Sequence, residues 1–169
     1  IGQLKAVRAA SRLAAMNPDV RLTEIPDRLS DDALAEAVSM ADVVLDGCDN
    51  FPTRFQVNDA AVRNSTVLIS GAAIRLEGQL AVFGPDYSKT PCYRCLYQEA
   101  DESLENCSGN GVLSPVPGVI GTLMAVEALK VFSGLPVETG KLSLYDATST
   151  EWQKLAIRKK RKCQSCGRS

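Results

Sequence analysis

The stretch Val43-Val44-Leu45-Asp46-Gly47-Cys48-Asp49-Asn50, answered by Val67-Leu68-Ile69, decides the fold. Each segment opens with a short aliphatic run, the pattern of a strand buried on both faces. Between them Asn50 can cap a helix, Pro52 is tolerated in its first turn, and the helix reads to about Arg63. Upstream, Gly2 to Met16 reads as a helix with Val7, Ala10, Leu13 and Ala14 on one face. Asn17-Pro18 ends it. Val20 to Ile25 alternates like a strand, and Ser30 or Asp31 can cap a helix that runs to about Met40. Strands and helices that alternate in this way imply a parallel sheet with helices on its faces.

Beyond Gly71 the pattern changes. Leu76, Gly78, Leu80 and Val82 are spaced by two, so Glu77 to Phe83 is expected to pair antiparallel. Residues 98 to 111 are polar and read as a mobile loop. Pro117 to Phe132 is apolar nearly all round, which describes a central buried helix. Leu142 to Asp146 and Glu151 to Ile157 read as a final hairpin. No repeat or hinge composition divides the chain, so residues 1–169 are expected to form one domain.

Two cysteine pairs, Cys92-x-x-Cys95 and Cys163-x-x-Cys166, each put two thiolates on one tight turn. That is the spacing of a zinc knuckle, and with no histidine in the chain the site would be all-cysteine. Two disulfides or two exposed thiol pairs are the alternatives. The 67 residues between the pairs make the metal a staple rather than a finger. Closing a loop of that length costs roughly 4 kcal/mol. Structural zinc in cysteine-rich peptides contributes about 10–16 kcal/mol, so the metal wins.

Composition removes several classes. The absence of histidine excludes Ser-His-Asp and Cys-His nucleophilic schemes and histidine-based zinc hydrolases within this chain. A net charge of -1 argues against broad binding to nucleic acid or to a membrane surface. No uninterrupted apolar run reaches the length of a membrane span. Metal ligands and free thiols point to a reducing compartment and a cytoplasmic protein.

Asp46 and Asp49 lie just past the end of a parallel strand, where open α/β sheets bind ligands. A carboxylate there suits a Mg²⁺ that bridges phosphates, or else merely caps a helix. Lys5 reads as a point charge for a phosphate or as a solvated surface lysine. Arg54 could pair with Asp49 or touch a phosphate, or do neither. Cys48 reads as a small core residue, and Cys107 as an accessible loop thiol open to covalent chemistry. The basic run Arg158 to Lys162 reads as a solvated face. No GxGxxG or GxxxxGK[ST] loop is present.

Asp46-Gly47-Cys48-Asp49-Asn50, with Thr53-Arg54, resembles the D-x-x-D-N-x-x-[ST]-R block of ubiquitin-activating-like adenylyltransferases of the ThiF/MoeB type. The segments Ser70 to Gln79, Pro91-Cys92-Tyr93-Arg94-Cys95-Leu96, Pro115 to Lys130 and Cys163-Gln164-Ser165-Cys166-Gly167 are similar to that family's later blocks. The resemblance implies a Rossmann-like sheet with helices on both faces, an antiparallel C-terminal part and a four-cysteine zinc staple. It implies adenylation of the C-terminal glycine of a ubiquitin-like sulfur-carrier protein, with ATP as substrate and Mg²⁺ at the phosphates. A thiocarboxylate then forms with a sulfur donor, a cysteine desulfurase or a rhodanese-like protein, in thiamine or molybdenum-cofactor biosynthesis.

The same resemblance assigns roles. Asp49 would organise Mg²⁺ and phosphates, with Asn50 beside it. Lys5 would contact a phosphate, and Arg54 would support the site. Cys92, Cys95, Cys163 and Cys166 would hold zinc, and Cys107 would be a covalent link to the carrier. Residues 1–74 correspond to the remaining nucleotide-binding half and 75–169 to the carrier-binding, zinc-bearing half. A homodimer is implied, and neither nucleic acid nor membrane is a partner. The family carries one further βαβ unit ahead of the position of Ile1, holding its Gly-rich phosphate turn, so the chain alone is expected to bind ATP weakly and to expose a sheet edge. Other classes stay in view: an inactive zinc-stapled module that binds a ubiquitin-like tail, and a thiol redox protein.

Overall fold

The computed structural model describes residues 2–97 and 111–167. The chain divides into two compact units, Ile1–Ala33 and Leu34–Ser169. In the first, helix α1 (Lys5–Met16) ends at Asn17, whose backbone N–H bonds the Leu13 carbonyl at 2.9 Å. The Asn17 side chain then accepts from Asp19 N at 3.1 Å and turns the chain. Val20 to Ile25 is not the strand its alternation implies: Val20, Leu22 and Ile25 are exposed, and among the described residues no strand pairs with the segment. Alternation makes a strand only where a neighbour supplies the ladder of hydrogen bonds. Ser30 Oγ accepts from Ala33 N at 3.3 Å and so caps helix α2 (Asp31–Ser39).

The second unit is built on a five-stranded sheet in sequential order. Strand β1 (Val43–Asp46) pairs parallel with β2 (Val67–Ile74), joined by helix α3 (Phe51–Asn64). Antiparallel pairing follows through β3 (Glu77–Phe83), β4 (Lys141–Asp146) and β5 (Glu151–Ala156). The short helix α4 (Tyr93–Leu96) and the long helix α5 (Pro115–Phe132) lie between β3 and β4 in sequence. The parallel part among the described residues is therefore one βαβ unit. β1 lies at the sheet edge and is only half-buried, with Leu45 exposed, rather than covered on both faces.

Alternation along β2 and β3 sends side chains to two cores. Leu68, Ala81 and Phe83 face one cluster with Phe51, Phe55, Val57, Ala61 and Tyr93. Ile69, Leu80 and Val82 face the other, with Val116, Ile120, Met124 and Ala128 of α5. Each fully buried aliphatic or phenyl side chain contributes about 1.5–3 kcal/mol. Gly71 and Gly78 let α5 approach the sheet: a Cβ on them would lie 2.3 Å from Met124 Sδ and 2.6 Å from Ile120 Cδ1.

Helix α5 corrects one expectation. It is long and apolar enough to cross a membrane by length and composition alone, yet it packs one stripe on the sheet and leaves the other open. Val119, Val126, Leu129 and Phe132 are exposed, because among the described residues no layer lies beyond the helix.

Candidate functional site

The loop Asp46–Asn50 leaves the C-terminal end of β1 and turns into α3. Asn50 is in extended conformation, and its Oδ1 accepts from Thr53 N at 2.9 Å, the expected cap. Asp49 is exposed at the tip of the loop, with Asn50 Nδ2 3.3 Å from its carboxylate. Its charge therefore sits in front of the helix N-terminus, open to solvent.

Arg54 is the anchor beneath. It is 4% exposed and pairs with Asp46, not with Asp49: Nη1 lies 3.1 Å from Asp46 Oδ2. It also donates to Ser70 Oγ at 3.0 Å, to the Gly71 carbonyl at 2.9 Å and to the Cys48 carbonyl. Asp46 accepts from Cys48 N at 2.9 Å, so both ends of the loop are tied to one buried ion pair. A guanidinium suits this place because its planar fork reaches several acceptors at once. Burial, with the Asp46 carboxylate beside it, pushes the Cys48 thiol up to about 12. Cys48 is half-buried in this loop rather than a core residue, and it stays a neutral thiol.

The second cluster sits on the α3 face of the sheet. The Sγ atoms of Cys92, Cys95, Cys163 and Cys166 all lie within 4.8 Å of one another. Cys92 and Cys163 are 3.6 Å apart, and Cys95 and Cys166 are 3.5 Å apart. No disulfide joins any of the four. A tetrahedral ion with metal–sulfur bonds of 2.3 Å requires sulfur–sulfur edges of about 3.8 Å, so the four donors fit a metal of that kind. At Gly167 a Cβ would lie 2.4 Å from the Cys163 carbonyl, and Gly167 N instead donates to that carbonyl at 2.9 Å. The second knuckle closes only with glycine there.

Side chains from α3 clamp the two knuckles together. Asn58 is fully buried; its Oδ1 accepts from Tyr93 N at 2.8 Å, and its Nδ2 lies 3.3 Å from Ser165 Oγ. Asp59 accepts from Ser165 and pairs with Arg94 at 3.0 Å, and Arg94 also stacks over the Phe55 ring at 4.2 Å. The Arg94 and Ser165 hydrogen bonds outweigh burial and lower the Asp59 pKa. The basic run corrects another expectation. Arg158, Arg161 and Lys162 are exposed, but the Lys159 ammonium and the Lys160 backbone N–H face cysteine sulfurs.

The structure thus brings Asp49, Asn50 and Arg54 into one loop and helix start, and the four cysteines into another cluster. Lys5 is exposed at the start of α1, in the first compact unit. Cys107 lies outside the described residues. Sequence reasoning missed Ser70, Asn58, Asp59 and Lys159. One signal was available: Phe51, Arg54, Phe55, Asn58 and Ala61 form one helical stripe, so Arg54 and Asn58 occupy inward positions.

Comparisons with known proteins follow the same outline. The ThiF family matches residues 1–166. The sulfur carrier protein ThiS adenylyltransferase of Escherichia coli is 43% identical over 169 residues, covering 100% of this chain and 67% of that protein. The sulfur carrier protein adenylyltransferase of Thermus thermophilus is 41% identical, covering 99% and 64%. The molybdopterin-synthase adenylyltransferase of Salmonella typhimurium is 38% identical, covering 99% and 67%. The chain therefore spans about two-thirds of the length of these relatives. Among solved structures, E. coli MccB superposes with a TM-score of 0.79 at 20% identity, over 99% of this chain and 51% of MccB, a likeness of fold.

Proposed function

The chain belongs to the ThiF family, and on that premise we propose that it takes part in ATP-dependent adenylation of the C-terminal glycine of a ubiquitin-like sulfur-carrier protein. The observation that carries this reading is the loop Asp46–Asn50, whose solvent-facing Asp49 is held in place by the buried Asp46–Arg54 pair. Relatives that share the chain's full span are adenylyltransferases of sulfur carriers or of molybdopterin synthase, which supports a place in thiamine or molybdenum-cofactor biosynthesis.

In this reaction an oxygen of the carrier's terminal carboxylate attacks the α-phosphorus of ATP. The bond from that phosphorus to the bridging oxygen breaks, pyrophosphate leaves, and a mixed anhydride with AMP remains on the carrier. The protein's part is positioning and charge stabilisation, which need no histidine. Asp49 would hold Mg²⁺, a hard cation that neutralises phosphate charge when bound. Asn50 keeps α3 capped and its N-terminal N–H groups directed toward the loop. Arg54 fixes the loop from below rather than reaching out of it, and Lys5 is a proposed phosphate contact.

The metal proposed at the four cysteines is zinc in a structural role, since four thiolates leave no open position for substrate. Cys107 is a proposed covalent link to the carrier, and a cysteine desulfurase or rhodanese-like protein is the proposed sulfur donor. The open apolar face of α5, with Val126, Leu129 and Phe132, supports a homodimer. Free thiols at a metal site support a reducing, cytoplasmic setting.

Carrier-dependent ATP–pyrophosphate exchange tests the reading, with any residues that naturally precede Ile1 in place. Exchange is expected with a carrier ending in Gly-Gly and not with one lacking that dipeptide. Zinc-loaded, folded protein that binds the carrier without exchange would move the assignment to a tail-binding module.

A further inference from the structure

Lys159 is the one member of the basic run whose ammonium is built into the metal cluster. Its Nζ lies 2.6 Å from the Tyr87 carbonyl, 3.2 Å from the Thr90 carbonyl and 2.7 Å from the Cys166 carbonyl. It also lies 3.1 Å from Cys166 Sγ. Among the described residues it has no carboxylate partner, although the chain's other surface lysines in ion pairs (Lys89, Lys130, Lys141, Lys154) each face an acid. A half-buried ammonium ringed by carbonyls and facing sulfur requires a counter-charge. The cysteines supply it only as thiolates.

A divalent ion with four thiolates carries a net charge of about -2, and burying that charge is costly unless cations and N–H groups face the sulfurs. Here the faces are covered in sequence order: Lys159 Nζ reaches Cys166 Sγ, and Lys160 N donates to Cys95 Sγ at 3.4 Å. The two sulfurs come from different knuckles, so one dipeptide serves both. The three carbonyls fix Lys159 from two segments, 87–90 and 166.

We propose that Lys159 is the counter-charge of the four-cysteine metal centre: a positioning residue that stabilises the thiolates and slows loss of the ion. The inference rests on the metal reading above.

The test compares the chain with its K159M, K159Q and K159R variants. Metal content is measured first, then the rate of zinc transfer to a chromogenic chelator, then the thiolate-to-metal charge-transfer band after cobalt substitution. Wild type is expected to hold one zinc. K159M is expected to release it about 10–100-fold faster, the usual size of a change around a metal's ligands. K159Q keeps donors but not charge, and is expected to follow K159M with a shifted cobalt band, while K159R stays nearer wild type. A folded K159Q with wild-type release and an unshifted band would overturn the proposal, because hydrogen bonding alone would then suffice. If K159M does not fold, the contrast of K159Q with K159R decides the same question. Failure of all three to fold in excess zinc would also overturn it, leaving Lys159 as a brace for carbonyls. Wild type that binds no metal would remove the metal reading itself, a distinguishable result.

Discussion

The start and the middle of helix α3 do opposite things with buried polar groups. At the N-terminal end, Arg54 and Asp46 are sunk beneath the sheet edge so that Asp49 can stand exposed. Farther along, Asn58 and Asp59 reach inward to two knuckles whose four sulfurs all point at one another. The start is closed below and open above, the geometry of a place where something binds. The middle is closed on every side, the geometry of a staple. A single helix therefore ties the candidate nucleotide loop to the metal centre, and the contrast between open and closed separates chemistry from stability.

The sharpest way to break the closed part is Cys163→Ser. It removes one of the four metal ligands; losing the metal gives up the surplus of binding over loop closure, about 6–12 kcal/mol, which at about 2–4 °C per kcal/mol lowers Tm by more than about 10 °C. Differential scanning calorimetry with and without a zinc chelator checks it: the chelator should reproduce the substitution in wild type and add nothing to the variant. Arg54→Met comes next. It strands the buried Asp46 carboxylate, and an uncompensated buried charge costs about 3–5 kcal/mol, read as a shift in the urea unfolding midpoint. Asn58→Ala leaves Tyr93 N–H buried without its acceptor, with an expected loss of about 1–3 kcal/mol in the same assay. Asn50→Ala removes only the helix cap, about 1 kcal/mol. If Asn50→Ala cost more than Arg54→Met, the picture of an open loop resting on a buried anchor would be wrong.

The same contrast explains what the sequence disclosed. The open end is local: strand, loop, cap and helix follow one another within residues 43–64, so the cap at Asn50 and the place of Asp49 just past the strand could be read directly. The cysteine quartet was legible despite its span because CxxC spacing is a local mark repeated at both ends. Its clamp was not. Asn58 and Ser165 meet across more than a hundred residues, and nothing in either neighbourhood names the other. Nearness in sequence leaves Arg54 open to a pairing with Asp49 or a phosphate, whereas the turn of α3 aims it down at Asp46. Val20–Ile25 had the period of a strand without a described neighbour to pair with, and α5 had the composition of a buried helix with only one side covered.

Asp49→Ala carries the smallest expected structural effect and the largest functional one, and it tests the central claim most directly. The measurement is carrier-dependent ATP–pyrophosphate exchange, made alongside urea unfolding on the same preparation. A truncated surface side chain should move stability by no more than about 0.5 kcal/mol. Loss of a phosphate-organising group should lower exchange by about 10²–10³-fold. Exchange that survives the substitution, or that falls only in step with stability, would contradict the assignment of the open end of α3 to chemistry.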